Sequence, residues 1–429
     1  MFDFSKFNQY RENNRLEVKK AEGGLPLSLW ETYSAFANTD GGVILLGVGE
    51  NKDRSLFVTG VPNAEKLLTD FWNNINSPNK ASVNILRDKD VSVEIIGNDK
   101  IIIIKVPRAD RTDRPVFLNN NPIYSFRRNG EGDYKCTQSE VKAMLRDAAE
   151  NTQDTLVLEK LPLDALDKET IKRYRTRLKI ERPDHVWQDY EDYDFLQKLG
   201  AVARGGDCKL HPTAAGLLMF GFEYEITREY SKYFLDYQEI LDDSIRWTDR
   251  LVSTSGEWSG NLYDFYFKVY NRIASDLKVP FKMEGGFRVD DTPVHKAIRE
   301  ALANCLVNAD YYGETGVVIK RKRKEISLSN PGLFRIEITA AMSGGLSSPR
   351  NGIILKMFSL LNIGERSGSG VPSICAVWEK QGWPMPKYEE HARPDRVALI
   401  LPLSKENPND LVNDLVNDHS WYSVSLCHR

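Results

Sequence analysis

Residues 25–50, LPLSLWETYSAFANTDGGVILLGVGE, change their apolar period within a short stretch. The first half has helical spacing, TDGG supplies turn-forming residues, and VILLGVGE is a continuous apolar run of strand length. A helix feeding into a buried strand calls for layered α/β packing, so the first 150 residues read as one compact α/β unit. VSVEIIG and KIIIIKVP flank NDK, which predicts a hairpin. NPIYSFRRNGEGDYKC reads as a further strand entering a Gly-rich turn. Thr137 and Glu140 then have capping-box spacing before a closing helix.

A chain of 429 residues exceeds one ordinary domain. The polar join NTQDTLVLEKLPLDALDKE places a boundary near residue 150, and a helical connector is expected over 151–211. Reaching from it into the next region, DYDFLQKLGAVARGGDCKLHPTAAGLLMFG reads helix, short hairpin, helix, which suits a winged-helix-like element. Residues 212–403 form a larger α/β region. It holds a long amphipathic helix around 293–310, strands in GVVIKRKR and EISLSN, Gly/Ser-rich loops, and a last strand in RVALILPLS. The basic run Lys320–Lys324 is expected at a hairpin tip as a solvated turn. Residues 404–429 are expected as a disordered tail. They repeat NDLV and then continue as HSWYSVSLCHR, the pattern expected where a repeated coding tract has slipped out of frame.

Formal net charge is only −3, so any nucleic-acid surface must be local. Five scattered cysteines form no CxxC pair, which excludes a zinc ribbon or a redox motif and fits reduced thiols. The start lacks an apolar signal region and no apolar run approaches ~18 residues. A cytoplasmic protein without a membrane partner is the expectation.

The helix REALANCLVNADYYG carries Glu300 and Asn304 one turn apart, hence on one face. Glu300 could orient an attacking water, and Asn304 could hold Mg²⁺ through its amide oxygen. Downstream, GERSGSGV offers backbone N–H groups that could approach phosphates. REALANCLVNADY, SNPGLF, SSPRNGIILKMF and IGERSGSGV stand in the order of the RecG-like C-terminal branch of the GHKL ATPase superfamily, which residues 212–403 resemble. The resemblance implies a Bergerat-type α/β sandwich and ATP with Mg²⁺ as cofactors. It implies Glu300 as water activator, Asn304 as Mg²⁺ ligand, and Gly368, Ser369 and Gly370 at the phosphates. Asn330, in SNPG, stands where most of the superfamily has an adenine-reading Asp. No G-x-x-x-x-G-K-[ST] string occurs, so a helicase motor is excluded.

ENNRLEVKKA and SAFANTDGGVILLGV, with the later YSFRRNGEGDYKCTQSEV, resemble the Schlafen AlbA-type nucleic-acid-binding domain. Its expected binding face carries Lys105, Arg108, Arg111, Arg114, Arg127, Arg128 and Lys135, interleaved with Phe117, Tyr124 and Phe126. Basic groups neutralise phosphates and aromatics stack on unpaired bases. Alternation in IYSFRR predicts that at least one of Arg127 and Arg128 points outward. Some Schlafen relatives cleave RNA through acidic residues, which would map to Glu12, Glu17 and Glu50 as a metal-holding set. The competing expectation is that Glu17 pairs with Lys19 or a neighbouring arginine.

The fold class expected is therefore α+β multidomain: an AlbA-like domain over 1–150, the connector, and a GHKL-like sandwich over 212–403. The function expected is an ATP-responsive protein that binds DNA or RNA, a transcriptional regulator and homo-oligomer by family analogy. A metal-dependent RNase with a regulatory ATPase-like domain is the alternative.

Overall fold

The computed structural model describes residues 11–242, 244–275, 277, 282–284, 287–289, 292–364 and 368–404. The repeat tail from residue 405 and part of the glycine loop, 365–367, lie outside these residues. The chain divides into two compact units, 1–150 and 151–429. No helix among the described residues is long and apolar enough to cross a membrane.

The first unit runs β1 (Leu16–Lys19), α1 (Ser28–Ala37), β2 (Gly42–Leu46), β3 (Val48–Glu50), β4 (Leu56–Val58), α2 (Ala64–Ile75), β5 (Val91–Ile96), β6 (Asp99–Val106), β7 (Phe126–Asn129), β8 (Gly132–Lys135) and α3 (Gln138–Ala148). One sheet has the order β1-β2-β6-β5, with β1 parallel to β2 and the other pairs antiparallel. Alternation along β6 sends Ile102 and Ile104 to the face covered by α1 and α2, and Ile101 and Ile103 to the face covered by the β3–β4 hairpin. The expected single strand VILLGVGE breaks at Gly47. That residue sits at φ +85°, and an added Cβ would lie 2.9 Å from the Gly60 carbonyl carbon, so only glycine lets the chain turn there. The β5–β6 hairpin forms as expected. So does the capping box: Thr137 N–H donates to Glu140 Oε2 at 2.7 Å, and Glu140 N–H to Thr137 Oγ1 at 3.3 Å.

The second unit begins with α4 (Lys168–Glu181), α5 (Asp192–Leu199), β9 (Val202–Arg204), β10 (Leu210–Pro212), α6 (Ala214–Phe220) and α7 (Glu223–Glu229). It continues with β11 (Leu235–Ile240), β12 (Asp249–Val252), α8 (Leu262–Ser275), β13 (Lys282–Glu284), β14 (Phe287–Val289) and α9 (Pro293–Val307). Its last elements are β15 (Val317–Lys322), β16 (Glu325–Pro331), α10 (Ile338–Ser343), α11 (Gly352–Leu360), α12 (Gly370–Gln381), β17 (Lys387–His391) and β18 (Arg396–Pro402). A six-stranded sheet, β12-β11-β15-β16-β18-β17, is antiparallel except for the β11–β15 pair. Its apolar face, with Ile319, Leu328 and Leu401, shares one core with α8, α9, α11 and α12. The multidomain α+β class holds.

Three expectations change here. The helices of 151–211 form, but Tyr174, Phe195 and Leu199 belong to the same core as α9, and Tyr174 Oη donates to Met357 O at 2.8 Å. The helix–hairpin–helix also forms, yet every residue of α6 is buried, so that helix has no face to offer DNA. Of the basic run, only Arg323 and Lys324 make the turn; Arg321 is buried on β15 while Lys320 and Lys322 are exposed.

Asp154 ties the start of this unit to α11. It is 1% exposed, and its Oδ2 accepts from Ile353 N–H at 2.6 Å and Ile354 N–H at 2.9 Å, capping the helix from outside. Asp154→Ala is expected to destabilise the unit by about 2 kcal/mol, the upper range for loss of a helix cap. A urea titration should show a lower midpoint with an unchanged slope.

Candidate functional site

The helix α9 presents Glu300, Asn304 and Asn308 as a polar stripe at four-residue intervals, while Ala297, Ala301, Leu302 and Cys305 are buried. Asn304 Nδ2 donates to Glu300 Oε1 at 3.1 Å, which turns the Asn304 Oδ1 away from that carboxylate. Asn308 Nδ2 donates to the Asn304 backbone oxygen at 3.0 Å. The stripe faces the start of α12. An added Cβ on Gly370 would overlap Glu300 Oε1 and lie 3.0 Å from Asn304 Nδ2. Gly364 also lies close, its ideal Cβ 3.9 Å from Glu300 Oε2. Gly364 and Gly370 therefore both lie beside the Glu300 carboxylate.

These residues line a pocket of about 150 Å³ that also contains Asn330, Gly368, Arg335 and Arg350. That volume is below the roughly 300–1,000 Å³ common for small-molecule sites. Gly368 has φ +67°, and an added Cβ would lie 2.6 Å from Leu346 O, so the loop's close approach needs glycine. Asn330 is buried on β16; its Nδ2 donates to Pro331 O at 3.2 Å and to Asn308 O at 3.4 Å. Ser369 precedes α12 at the N-cap position. The donor set suits a magnesium nucleotide in kind: an amide oxygen for a hard cation, and glycine backbone at a helix start for phosphate.

Two further pocket residues carry no signal of their own in the sequence. Arg350 is 2% exposed, and its guanidinium donates to Asn308 O and, at 3.1 Å, to Leu333 O. Gly332, at φ +95°, leaves the room this guanidinium needs. Arg335 Nη1 donates to Pro349 O at 2.8 Å. Arginines bonded to carbonyls depend on contacts distant in the chain, and only the family string SSPRNG touched one of them.

In the first unit three of the seven basic residues expected on the nucleic-acid face turn inward. Arg114, Arg127 and Arg128 are all buried, which corrects the expectation that Arg127 or Arg128 points outward. The cause is local: residues 122–124 form a 3₁₀ turn, so the IYSFRR alternation does not start until Phe126, and both faces of β7 are then covered. Arg128 bonds Glu17 Oε2 and Asp133 Oδ1, each at 2.9 Å, donates to Asn13 O at 2.9 Å, and lies 5.2 Å from the Phe36 ring centroid. Arg127 sits 3.5 Å from Glu140 Oε1. Arg111 Nη1 donates to Asp147 O and Ala149 O and so holds the end of α3. Arg108 approaches Asp40 at 3.9 Å. Lys105 and Lys135 remain exposed, and Lys135 lies 4.2 Å from the Tyr124 ring centroid beside exposed Tyr134.

Glu17 bridges Lys19, at 2.8 Å, and Arg128. Glu12 Oε1 accepts from Val18 N–H at 2.8 Å. Burial pushes the Glu12 carboxyl above its ordinary pKa, and the charges of Glu17 and Glu50 push the same way. Among the described residues, however, no three His, Cys, Asp or Glu side chains come together as a metal-holding group. Of the expected set, Glu17 is engaged in ion pairs to Lys19 and Arg128, as the competing expectation had it.

Three family models match this chain. Residues 6–137 match the Schlafen AlbA_2 domain, residues 142–236 a domain of unknown function (DUF8451), and residues 314–401 the family described as "Putative ATP-dependent DNA helicase recG C-terminal". Glu300 and Asn304 lie between the last two matches. Among solved structures, the chain resembles the DIP2311 protein from Corynebacterium diphtheriae at 17% identity, covering 91% of this chain and 76% of that one, with a TM-score of 0.46. It also resembles the N-terminal domain of a "Putative ATP-dependent DNA Helicase RecG-related Protein" from Nitrosomonas europaea. There the identity is 26%, the coverage 31% of this chain and 90% of that one, and the TM-score 0.23. No curated protein matches the chain.

Proposed function

We propose that this chain, which carries a Schlafen AlbA-type domain and a RecG C-terminal-type region, binds nucleic acid with an affinity that responds to ATP and Mg²⁺. The observation carrying this reading is the placement of Glu300 and Asn304 against Gly370 at the start of α12, in a pocket that also holds Asn330. In this reading Asn304 Oδ1 holds the cation, the backbone from Gly368 through Ser369 to Gly370 receives phosphate, and Asn330 faces the base. Glu300 swings off the glycine loop to orient a water. Magnesium, when bound, neutralises phosphate charge.

Nucleic acid would be held by the exposed remainder of the AlbA-type face, with Lys135 and Lys105 for phosphates and Tyr124 and Tyr134 for stacking. An Asn in place of Asp at position 330 offers an amide to the base, so selectivity for adenine would be weaker than a carboxylate provides. A nucleotide that binds one conformation better shifts its population and hence nucleic-acid affinity, the behaviour of a transcriptional regulator. A cytoplasmic homo-oligomer belongs to the same reading.

Titration with ATP and Mg²⁺ by calorimetry tests the proposal. Asn304→Ala is expected to weaken binding by on the order of tenfold or more, the worth of one ion-ligating contact. Oligonucleotide affinity should change with ATP in the wild type and be insensitive in the variant. Identical binding by both proteins removes the nucleotide reading.

A further inference from the structure

A second cavity, of about 760 Å³, is lined by α4, the start of α7, the loop that precedes α8 and α8 itself. Its size falls within the range of small-molecule sites. Its walls are rich in rings. Phe222 and Tyr224 stack at 5.5 Å and 9°, Trp258 stacks on buried Phe265 at 6.1 Å, and Tyr263 packs 4.8 Å from Phe267.

The charges of this cavity are not evenly satisfied. Asp167 caps α4, accepting from Glu169 N–H at 3.1 Å and Thr170 N–H at 3.2 Å. Both Asp264 oxygens accept from Arg173 Nη2, at 2.9 and 3.0 Å, and Oδ2 accepts a 2.7 Å bond from Ser259 Oγ. Arg177 lies 4.5 Å from the Phe267 ring centroid, so one ring of this cavity already carries a cation. Glu223 and Glu257 are different. Among the described residues neither carboxylate has a hydrogen-bond or ion-pair partner.

Glu223 is held in place by its backbone, whose N–H donates to Ser259 O at 2.8 Å. It is half-buried between the stacked rings of Phe222 and Tyr224 in sequence, and burial pushes its carboxyl above the ordinary range. Gly260, at φ +76°, leaves no room for a side chain, because an added Cβ would lie 2.5 Å from Glu223 Cβ. The loop is therefore built to close on Glu223. A half-buried carboxylate without a partner is costly, and a cation that enters offsets the cost while its methylenes and charge rest on the rings.

We propose that this cavity is a binding site for an alkylammonium cation, with Glu223 as its counter-charge and the faces of Trp258 and Tyr224 as its aromatic wall. The arginines of the cavity are already engaged, and Lys268 brings one ammonium without a partner among the described residues against the two such glutamates, so the unmatched charge is acidic and selects a cation. The cation comes either from a free polyamine or from a lysine side chain of a partner, and both present the same chemistry.

Spermidine and a tetralysine peptide serve as probes, titrated into the full chain by calorimetry and by tryptophan fluorescence. Saturable binding of one or both is expected, with Glu223→Gln weakening it by on the order of tenfold, the worth of one charge-assisted hydrogen bond, at an unchanged melting temperature. Spermidine binding without tetralysine binding assigns a free amine, and the reverse assigns a partner's side chain. Trp258→Phe, which keeps a ring, should retain binding and remove most of the fluorescence change. Absence of saturable binding by either probe overturns the proposal. So does equal affinity in Glu223→Gln, or equal competition by magnesium chloride at matched ionic strength, which would mark a simple acidic patch. Nucleotide binding plays no part in these readouts.

Discussion

Arg128→Ala is expected to lower the melting temperature of the first unit by roughly 10 °C, from a loss of about 3–5 kcal/mol. The side chain of Arg128 is 1% exposed and bridges Glu17 and Asp133, with a backbone carbonyl from residue 13 and the Phe36 ring completing its surroundings. Truncation leaves two carboxylates in a space that no longer holds their cation. Asp133 keeps the Thr32 hydroxyl at 2.6 Å and Glu17 keeps Lys19, so the loss stays at the scale of one broken buried pair. Lysine should rescue only part of it, because a single ammonium cannot reproduce the fork that reaches both acids. Thermal melts followed by circular dichroism decide the matter. Should the variant melt like the wild type and lose only oligonucleotide binding, Arg128 would be a nucleic-acid contact after all.

Gly370→Ala is expected to leave the fold nearly unchanged and to weaken nucleotide binding by on the order of tenfold or more. Gly370 opens α12 without a positive φ, so alanine suits its backbone and favours the helix. The new methyl group meets the tip of Glu300, a flexible side chain that can move aside at little cost. That movement takes Glu300 out of line with Asn304 and fills the space proposed for a phosphate. Gly368→Ala makes the instructive contrast. There the backbone is left-handed and the obstacle is the Leu346 main chain, so stability falls together with binding. Calorimetric titration beside a thermal melt separates the two variants. Wild-type nucleotide affinity in Gly370→Ala would remove the glycine loop from the phosphate site, even if Asn304→Ala had weakened binding.

Both expectations rest on features that were unequally visible in the chain. The Glu300–Asn304 stripe and the capping box at Thr137 and Glu140 are patterns of short sequence spacing, and the structure carries both. The inward turn of Arg127 and Arg128 was invisible. A two-residue period was extended through Pro122–Tyr124, where a 3₁₀ turn resets it, and no spacing records that both faces of β7 are covered.

Sequence alone determined the elements whose cause is local: the helix–turn–strand opening, the β5–β6 hairpin, the helix caps and the face shared by Glu300 and Asn304. It also carried the two family resemblances, since motif order survives without knowledge of packing. Only the tertiary structure decided which charges meet. It spent Glu17 and Arg128 on each other, merged the helices of 151–211 into the core of the sheet, closed α6 to solvent and brought Arg350 to the Asn308 carbonyl. Periodicity states which side chains share a face. What lies opposite that face is set by residues tens to hundreds of positions away, and burial, ion pairing and site chemistry follow from that encounter.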